Sequence, residues 1–412
     1  MKQETQTRLT QEILAHIAAK STDTAPAITK HPISAYTCAD RLAKEQRVLF
    51  QDSPLFVGLS SLLKAPGDYF TDDKTGTPLL LVRDKDGKFR AFINACRHRG
   101  SRIAEDSGNA GGAFVCPYHG WSYQTTGELN GIPYQQYFEQ VDRSQCNLTE
   151  LASTEVGGML FVIPGAHGGL GDARFNESLT EEIGNYRLAD YFHYEQREMM
   201  LDFNWKLAMD TFLEPYHFPV LHKDTVGPIF YPNLCSFEAF GEHLREVFPR
   251  RTIIDLKDQP PEQWDLITHS AIVYILFPNT ALIMQIDHAE VWRIFPHPTN
   301  PAACTVLLDF YIPEPAETDK ARNHWDKNMD LTVRTVLNED FPVNAGAQKG
   351  FATNAQQHIT FGCNEPALAH FENTVSQVIS GQGRSAKLSE VQTPTPAHST
   401  VCCAISPIPA RQ

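Results

Sequence analysis

Apolar residues recur at helical spacing through residues 1–19, between Lys2, Glu4, Arg8 and Glu12, and predict an amphipathic first helix. From about residue 47 the pattern changes to short β-like runs. Leu79–Arg83 and Phe89–Ile93 flank Lys85-Asp86-Gly87-Lys88, whose Asp-Gly pair predicts a hairpin turn. The second of these strands runs into Asn94-Ala95-Cys96, so Cys96 is expected on a loop at a strand end. Val115 leads into Cys116, and Ser122-Tyr123 leads to Gly127, another turn residue. Residues 157–163 read as a last strand before the Gly-rich stretch 165–171. That stretch lacks the full dinucleotide fingerprint and no helix follows it directly, so it is expected to be a linker. Further on, 282–295 and 305–312 are two long β-like runs separated by the turn-rich 296–303. Residues 319–340 and 364–380 read as helices. From 381 onward Gly, Ser, Thr and Pro accumulate, as in a weakly packed tail. The expected class is therefore α+β. A helical segment (1–45) precedes an antiparallel β domain (46–165), then a domain of antiparallel sheet and helices (166–380), then the tail (381–412).

Composition narrows the function classes. A chain of 412 residues buries a substantial core, and a formal charge of −14 argues against a nucleic-acid partner. No run of eighteen apolar residues occurs, so no membrane span is expected. The N-terminus lacks a secretory apolar region, and nine cysteines are scattered along the chain. Reduced thiols and a cytoplasmic setting are the expectation, with Cys402 and Cys403 inert in the tail.

Two mixed pairs carry the chemistry. Cys96-Arg97-His98 and Cys116-Pro117-Tyr118-His119 each offer one thiolate and one imidazole, with seventeen residues between His98 and Cys116. Two thiolates on one iron and two histidines on the other describe a Rieske [2Fe-2S] cluster. A Cys2His2 zinc site uses the same four ligands, but zinc fingers set cysteine beside cysteine and histidine beside histidine.

The second informative stretch runs from Asn204-Trp205-Lys206 through Glu214-Pro215-Tyr216-His217 to His222. On an unbroken helix Asp210, Glu214 and His217 share one face, and His222 points roughly 140° away. Pro219 is expected to break that helix and swing His222 back beside His217. Two imidazoles and a carboxylate form the facial triad of non-haem iron. Asp340 is the favoured carboxylate, because it continues the apolar stripe Trp325, Met329, Val333, Val336 of the preceding helix. The alternative is an exposed acid where Asn338-Glu339-Asp340-Phe341-Pro342 ends that helix. The twelve other histidines lack ligand spacing and read as structural.

With both sites in view, residues 45–380 resemble the terminal oxygenase (α) subunits of Rieske non-haem iron oxygenases. The likeness rests on Cys96-Arg97-His98-Arg99-Gly100, Cys116-Pro117-Tyr118-His119-Gly120-Trp121 and the Asn204–His222 stretch. It implies an antiparallel Rieske domain and a helix-grip-like catalytic domain. It further implies that Cys96, Cys116, His98 and His119 hold the cluster, and that His217, His222 and Asp340 hold a mononuclear Fe(II). Glu214 falls where the family bridges His119 of one subunit to His217 of the next, which implies a homotrimer. A glutamate there resembles the members that oxidise carnitine or betaine-like amines. A separate reductase or ferredoxin would bring electrons from NADH or NADPH, since the chain shows no convincing nicotinamide or flavin motif. The implied reaction is O2-dependent monooxygenation of a small organic substrate. Aromatic-ring cis-dihydroxylation is the alternative; an iron-sulfur electron carrier or a zinc protein is the alternative of a different class.

Overall fold

The computed structural model describes residues 1–165 and 175–381. Most of the Gly-rich stretch and nearly all of the tail, with Cys402 and Cys403, lie outside the described residues.

The hairpin read from Asp86-Gly87 forms as expected. Leu79–Arg83 pairs antiparallel with Phe89–Ile93, and Gly87 takes φ +78° in the turn. These two strands centre a five-stranded antiparallel sheet with Asp68–Asp72, Ser107–Asn109 and Glu150–Leu151. A small sheet of Ala113–Val115, Ser122–Gln124 and Leu129–Gly131 carries the second cysteine-histidine pair at its first hairpin. A third sheet joins Leu55–Leu59 to Ser153–Val156 and Met159–Val162.

The second domain is built on a seven-stranded antiparallel sheet. From one edge its strands are Phe192–Leu201, Cys304–Ile312, Ala289–Pro296, Thr280–Met284, Ser270–Leu276, His243–Pro249 and Ser236–Phe240. One correction to the sequence reading falls here. Residues 282–295 are two strands rather than one run, because Gln285 donates to the His288 carbonyl (2.9 Å) and closes a turn across Ile286-Asp287.

One face of this sheet is covered by the helices that carry the second site. The largest core cluster fills that layer, with Phe248, Ala271, Val273, Ile283 and Trp292 from the sheet against Leu207, Met209, Met329 and Phe371. The opposite face packs on the first helix, Gln3–Ala19, and on the third sheet through Leu9, Ile13, Phe56 and Phe161. The first 45 residues are not helical throughout. Thr29–Pro32 pairs with His358–Phe361, which ties this segment to the second domain. A buried ion pair joins the two domains: Arg293 in the large sheet reaches Asp72 of the β domain (2.7 Å) and Asp309 (3.1 Å).

Candidate metal centres

The two cysteine-histidine loops are built alike. In the first, Gly100 N–H donates to Cys96 O (2.8 Å) and Cys96 N–H to Ser101 O (2.8 Å). In the second, Gly120 donates to Cys116 O (3.0 Å) and Cys116 to Trp121 O (2.8 Å). Each loop closes through a glycine at positive φ, +75° at Gly100 and +73° at Gly120, which only glycine adopts without strain. The equal cysteine-to-glycine spacing, Cys96 to Gly100 and Cys116 to Gly120, thus becomes the same loop closure in space.

Cys96 and Cys116 are buried, and the His98 and His119 rings lie 4.7 Å apart. Tyr123 OH lies 3.2 Å from Cys96 Sγ and accepts from Arg97 N–H (3.0 Å). Trp121 stacks on His98 at 4.8 Å with an interplanar angle of 6°. Burial raises the Cys96 thiol pKa, and the neighbouring Cys116 adds to the rise. Burial, His119 and Arg99 keep His98 neutral, below its ordinary value, while its Nδ1 is buried without a partner. Two adjacent thiols and an orphaned imidazole nitrogen make a donor set that a metal cluster satisfies.

At the second site the chain departs from the single helix of the sequence reading. The helix Trp205–Asp210 is capped by the Asn204 side chain and ends at Asp210. Residues 211–217 are not helical, and Phe218–Leu221 is a separate short turn. Pro219 sits in the first turn of that short helix, where its missing N–H costs nothing. The break therefore comes at Thr211, well before His217, and not at Pro219. Asp210 does not join Glu214 and His217; it accepts from Tyr36 OH (2.8 Å), and burial with nearby Glu372 pushes its carboxyl well above the ordinary range.

His217 and His222 nonetheless converge, with Nε2 atoms 3.1 Å apart. Asp340 Oδ1 lies 3.2 Å from His222 Nε2 and 3.5 Å from His217 Nε2. Among the described residues these three form the one group of histidine, cysteine and acidic side chains whose ligand atoms cluster this way. Asp340 is buried, so the exposed-acid alternative does not describe its position.

The outer nitrogens fix the tautomers. His217 Nδ1 faces Glu214 Oε1 and His222 Nδ1 faces Glu339 Oε2, both at 2.5 Å. A carboxylate only accepts, so each Nδ1 carries the proton and, in the neutral imidazole that binds a metal, each Nε2 presents a lone pair. Two protonated Nε2 atoms could not share a 3.1 Å gap. Three acceptors then meet with no donor between them, an arrangement that calls for a cation. The triangle of 3.1, 3.2 and 3.5 Å matches a face of an octahedron, whose edge is about 3.0 Å for bonds near 2.1 Å. Burial alone would lower the His222 pKa, but Asp340 and Glu339 outweigh it and raise the value, as a site built to attract positive charge would.

Glu339 was not singled out in the sequence. It also accepts from Thr225 Oγ1 (2.7 Å). The only available signal was its place beside Asp340 at the end of an apolar stripe. An open depression lined by Lys88, Arg90 and Glu150 shares no residue with either site.

With this geometry in place, similarity to known proteins defines the class. Residues 53–143 match the Rieske [2Fe-2S] domain, and 188–381 match the ring hydroxylating alpha subunit (catalytic domain). The chain belongs to the Rieske non-haem iron oxygenases as a terminal oxygenase alpha subunit. It therefore works with a [2Fe-2S] cluster, a mononuclear iron, dioxygen, an organic substrate and a separate electron donor. It is 26% identical over 354 residues to a chloroplastic choline monooxygenase of Spinacia oleracea, spanning 84% of this chain and 78% of that one. To the chlorobenzene dioxygenase subunit alpha of Cupriavidus sp. (strain PS12) it is 34% identical over 198 residues, 44% of this chain and 42% of the relative. Its fold matches the quaternary ammonium Rieske monooxygenase CntA, solved with L-carnitine, at TM-score 0.71 and 19% identity over 86% of this chain and 96% of that one.

Proposed function

We propose that this chain is the oxygenase component of a system that monooxygenates a small quaternary amine. Cys96, Cys116, His98 and His119 would hold the cluster, and His217, His222 and Asp340 the mononuclear iron. The observation that carries the reading is the convergence of two Nε2 lone pairs and one carboxylate oxygen, with both Nδ1 protons held by Glu214 and Glu339. When bound, the cluster supplies electrons one at a time and the iron supplies open positions at which dioxygen reacts. The chain's own residues hold that centre in shape. Glu214 and Glu339 fix the imidazole planes, Asp340 balances charge, and Phe218 packs its ring edge-on 5.0 Å from His217. Overall similarity to a choline monooxygenase across most of both chains supports the amine over an aromatic ring.

Assembly as a ring of three is part of the proposal. His119 is exposed beside Tyr118 (55% exposed), while Tyr216 (59%) and Val220 (78%) stand out around Glu214 and His217. Glu214 Oε2 accepts from the Tyr216 and His217 N–H groups, while Oε1 accepts from His217 Nδ1 and keeps a lone pair for His119 of the partner subunit. Two unlike patches that complement each other give a head-to-tail contact, which closes into a ring. No helix among the described residues is long and apolar enough to cross a membrane. The seven described cysteines are free thiols, which supports a reducing, cytoplasmic setting.

The test is compositional and then chemical. Anaerobically purified protein should hold about three irons per chain, two with sulfide and one without. With a surrogate reductase, a panel of quaternary amines and aromatics scored by product mass should return a singly oxygenated amine. Zinc in place of iron, or a cis-diol from an arene and no amine product, overturns the reading.

A further inference from the structure

Two ionisable side chains near the second site form no ion pair among the described residues. Glu246 is fully buried in the strand His243–Pro249, and neither of its carboxylate oxygens has a hydrogen-bond partner. The charges that bear on it, Glu214 and Asp23, are themselves acidic. The Cys235 thiol lies close by and acts to lower the Glu246 pKa. Burial pushes the Glu246 carboxyl well above its usual range against that thiol, and the two acids add to the effect. Four residues on, Arg250 is half-buried. It donates to Gln285 Oε1 (2.8 Å) and Ser270 O (3.5 Å) and lies over the Phe230 ring at 4.9 Å, with no carboxylate in ion-pair range. The acids nearest to it are engaged elsewhere. Asp287 is held by His288 and His324, and Glu290 by Trp292 and Thr332.

Both groups face the layer that holds the metal-ligating histidines. Leu244 and Phe248 of the same strand belong to the inner core cluster, so Glu246 between them points inward as well. Its cross-strand partners, Phe237 and Val273, line that same layer. Phe248 and Phe230 lie 5.7 and 5.6 Å from Phe218, whose ring is 5.6 Å from His222. Aromatic rings thus run from the metal site to Phe230, over which Arg250 lies, and to Phe248, two residues from Glu246 on the same strand face.

We propose that Glu246 and Arg250 form the two ends of a receptor for a zwitterion, a quaternary ammonium that also carries a carboxylate. This rests on the amine reading above and narrows it. A quaternary nitrogen has no N–H to donate, so it suits a carboxylate that lacks hydrogen-bond partners, and aromatic faces attract it. Arg250 offers the planar fork that carboxylates prefer. Four residues of extended chain put the two backbones about 13 Å apart, the scale of a short zwitterion with both counter-ions in place. The aromatic cluster would then hold the intervening carbons beside the metal site.

The test measures binding to the iron-replete oxygenase. The ligands are trimethylammonium carboxylates of increasing spacer length, choline, and neutral-headed tert-butyl carboxylates. One spacer length should bind best, with choline and the tert-butyl acids each at least about 30-fold weaker. Glu246→Gln should erase the preference for ammonium over tert-butyl. Arg250→Gln should erase the preference for the zwitterion over choline. Both variants should keep full iron content and cluster absorption, which separates recognition from folding. If trimethylammonium compounds are oxidised but Glu246→Gln and Arg250→Gln leave these preferences unchanged, the receptor is wrong and the amine reading survives. If no member of the series binds and an arene is oxidised instead, both fall.

Discussion

At the scale of single residues, the second site depends on carboxylates that do different work. Asp340 faces the shared point between the imidazoles, whereas Glu339 and Glu214 each hold an outer nitrogen. Asp340→Ala should therefore abolish mononuclear iron, while Glu339→Ala should weaken it by about 10- to 100-fold without abolishing it. Iron titration of both variants, with visible absorption confirming that the cluster persists, checks the difference. Equal losses would show that Glu339 belongs among the ligands themselves. Asp340 was legible because an acid on an apolar stripe needs a partner. Glu339 was not, since its partner His222 lies 117 positions away in sequence.

At the scale of elements, a widened helical turn sets both acids. The helix Asp319–Thr335 passes into a π turn, Val336–Asp340, and continues as Phe341–Phe351. Pro342 does not end it, contrary to the exposed-acid alternative. In a regular helix its ring would press on the Asn338 carbonyl; the i→i+5 turn before it provides room. The same widening sends two adjacent acids to the two nitrogens of one imidazole. Deleting Leu337, a partly exposed residue of the turn (39%), would rotate the acids by about 100° relative to the preceding helix. Helix content by circular dichroism should hold while mononuclear iron is lost. Retained iron would mean that the turn adjusts and that its width is incidental. Periodicity in sequence reports a stripe, but one extra residue per turn is invisible in it.

At the scale of the molecule, two features join what one chain keeps apart. Tyr118→Glu and Val220→Glu, each set in an exposed patch beside a metal centre, should lower the oligomeric mass and slow single-turnover oxidation of the reduced cluster. Glu214→Gln should slow the same step with the mass unchanged. Sedimentation and stopped-flow absorption read both, and a fully competent monomer would end the ring proposal. Within the chain, Arg293 clamps Asp72 and Asp309 across the domain boundary. Arg293→Met strands two buried acids and should cost about 3–5 kcal/mol of stability by denaturant unfolding. Burial alone would raise the Asp309 pKa, but Arg293 and then His193 overcome it and hold the value low. That contribution is present above the unfolded carboxylate pKa, about 3.9, and is lost as pH falls through the lower folded value. Wild-type stability should therefore drop below about pH 4, and Arg293→Met should lack that step.

The two cysteine-histidine loops were determined locally. Each needs only a strand end, a glycine at positive φ and hydrogen bonds that span a few residues, all of which are written in consecutive positions. The hairpin at Asp86-Gly87 and the apolar stripe before Asp340 were legible for the same reason. What joined His217, His222, Glu339 and Asp340, and what left Glu246 and Arg250 facing one aromatic layer, was decided by packing. A sheet and helices distant in the chain had to close before those contacts existed, and spacing along a sequence does not encode distance across a core.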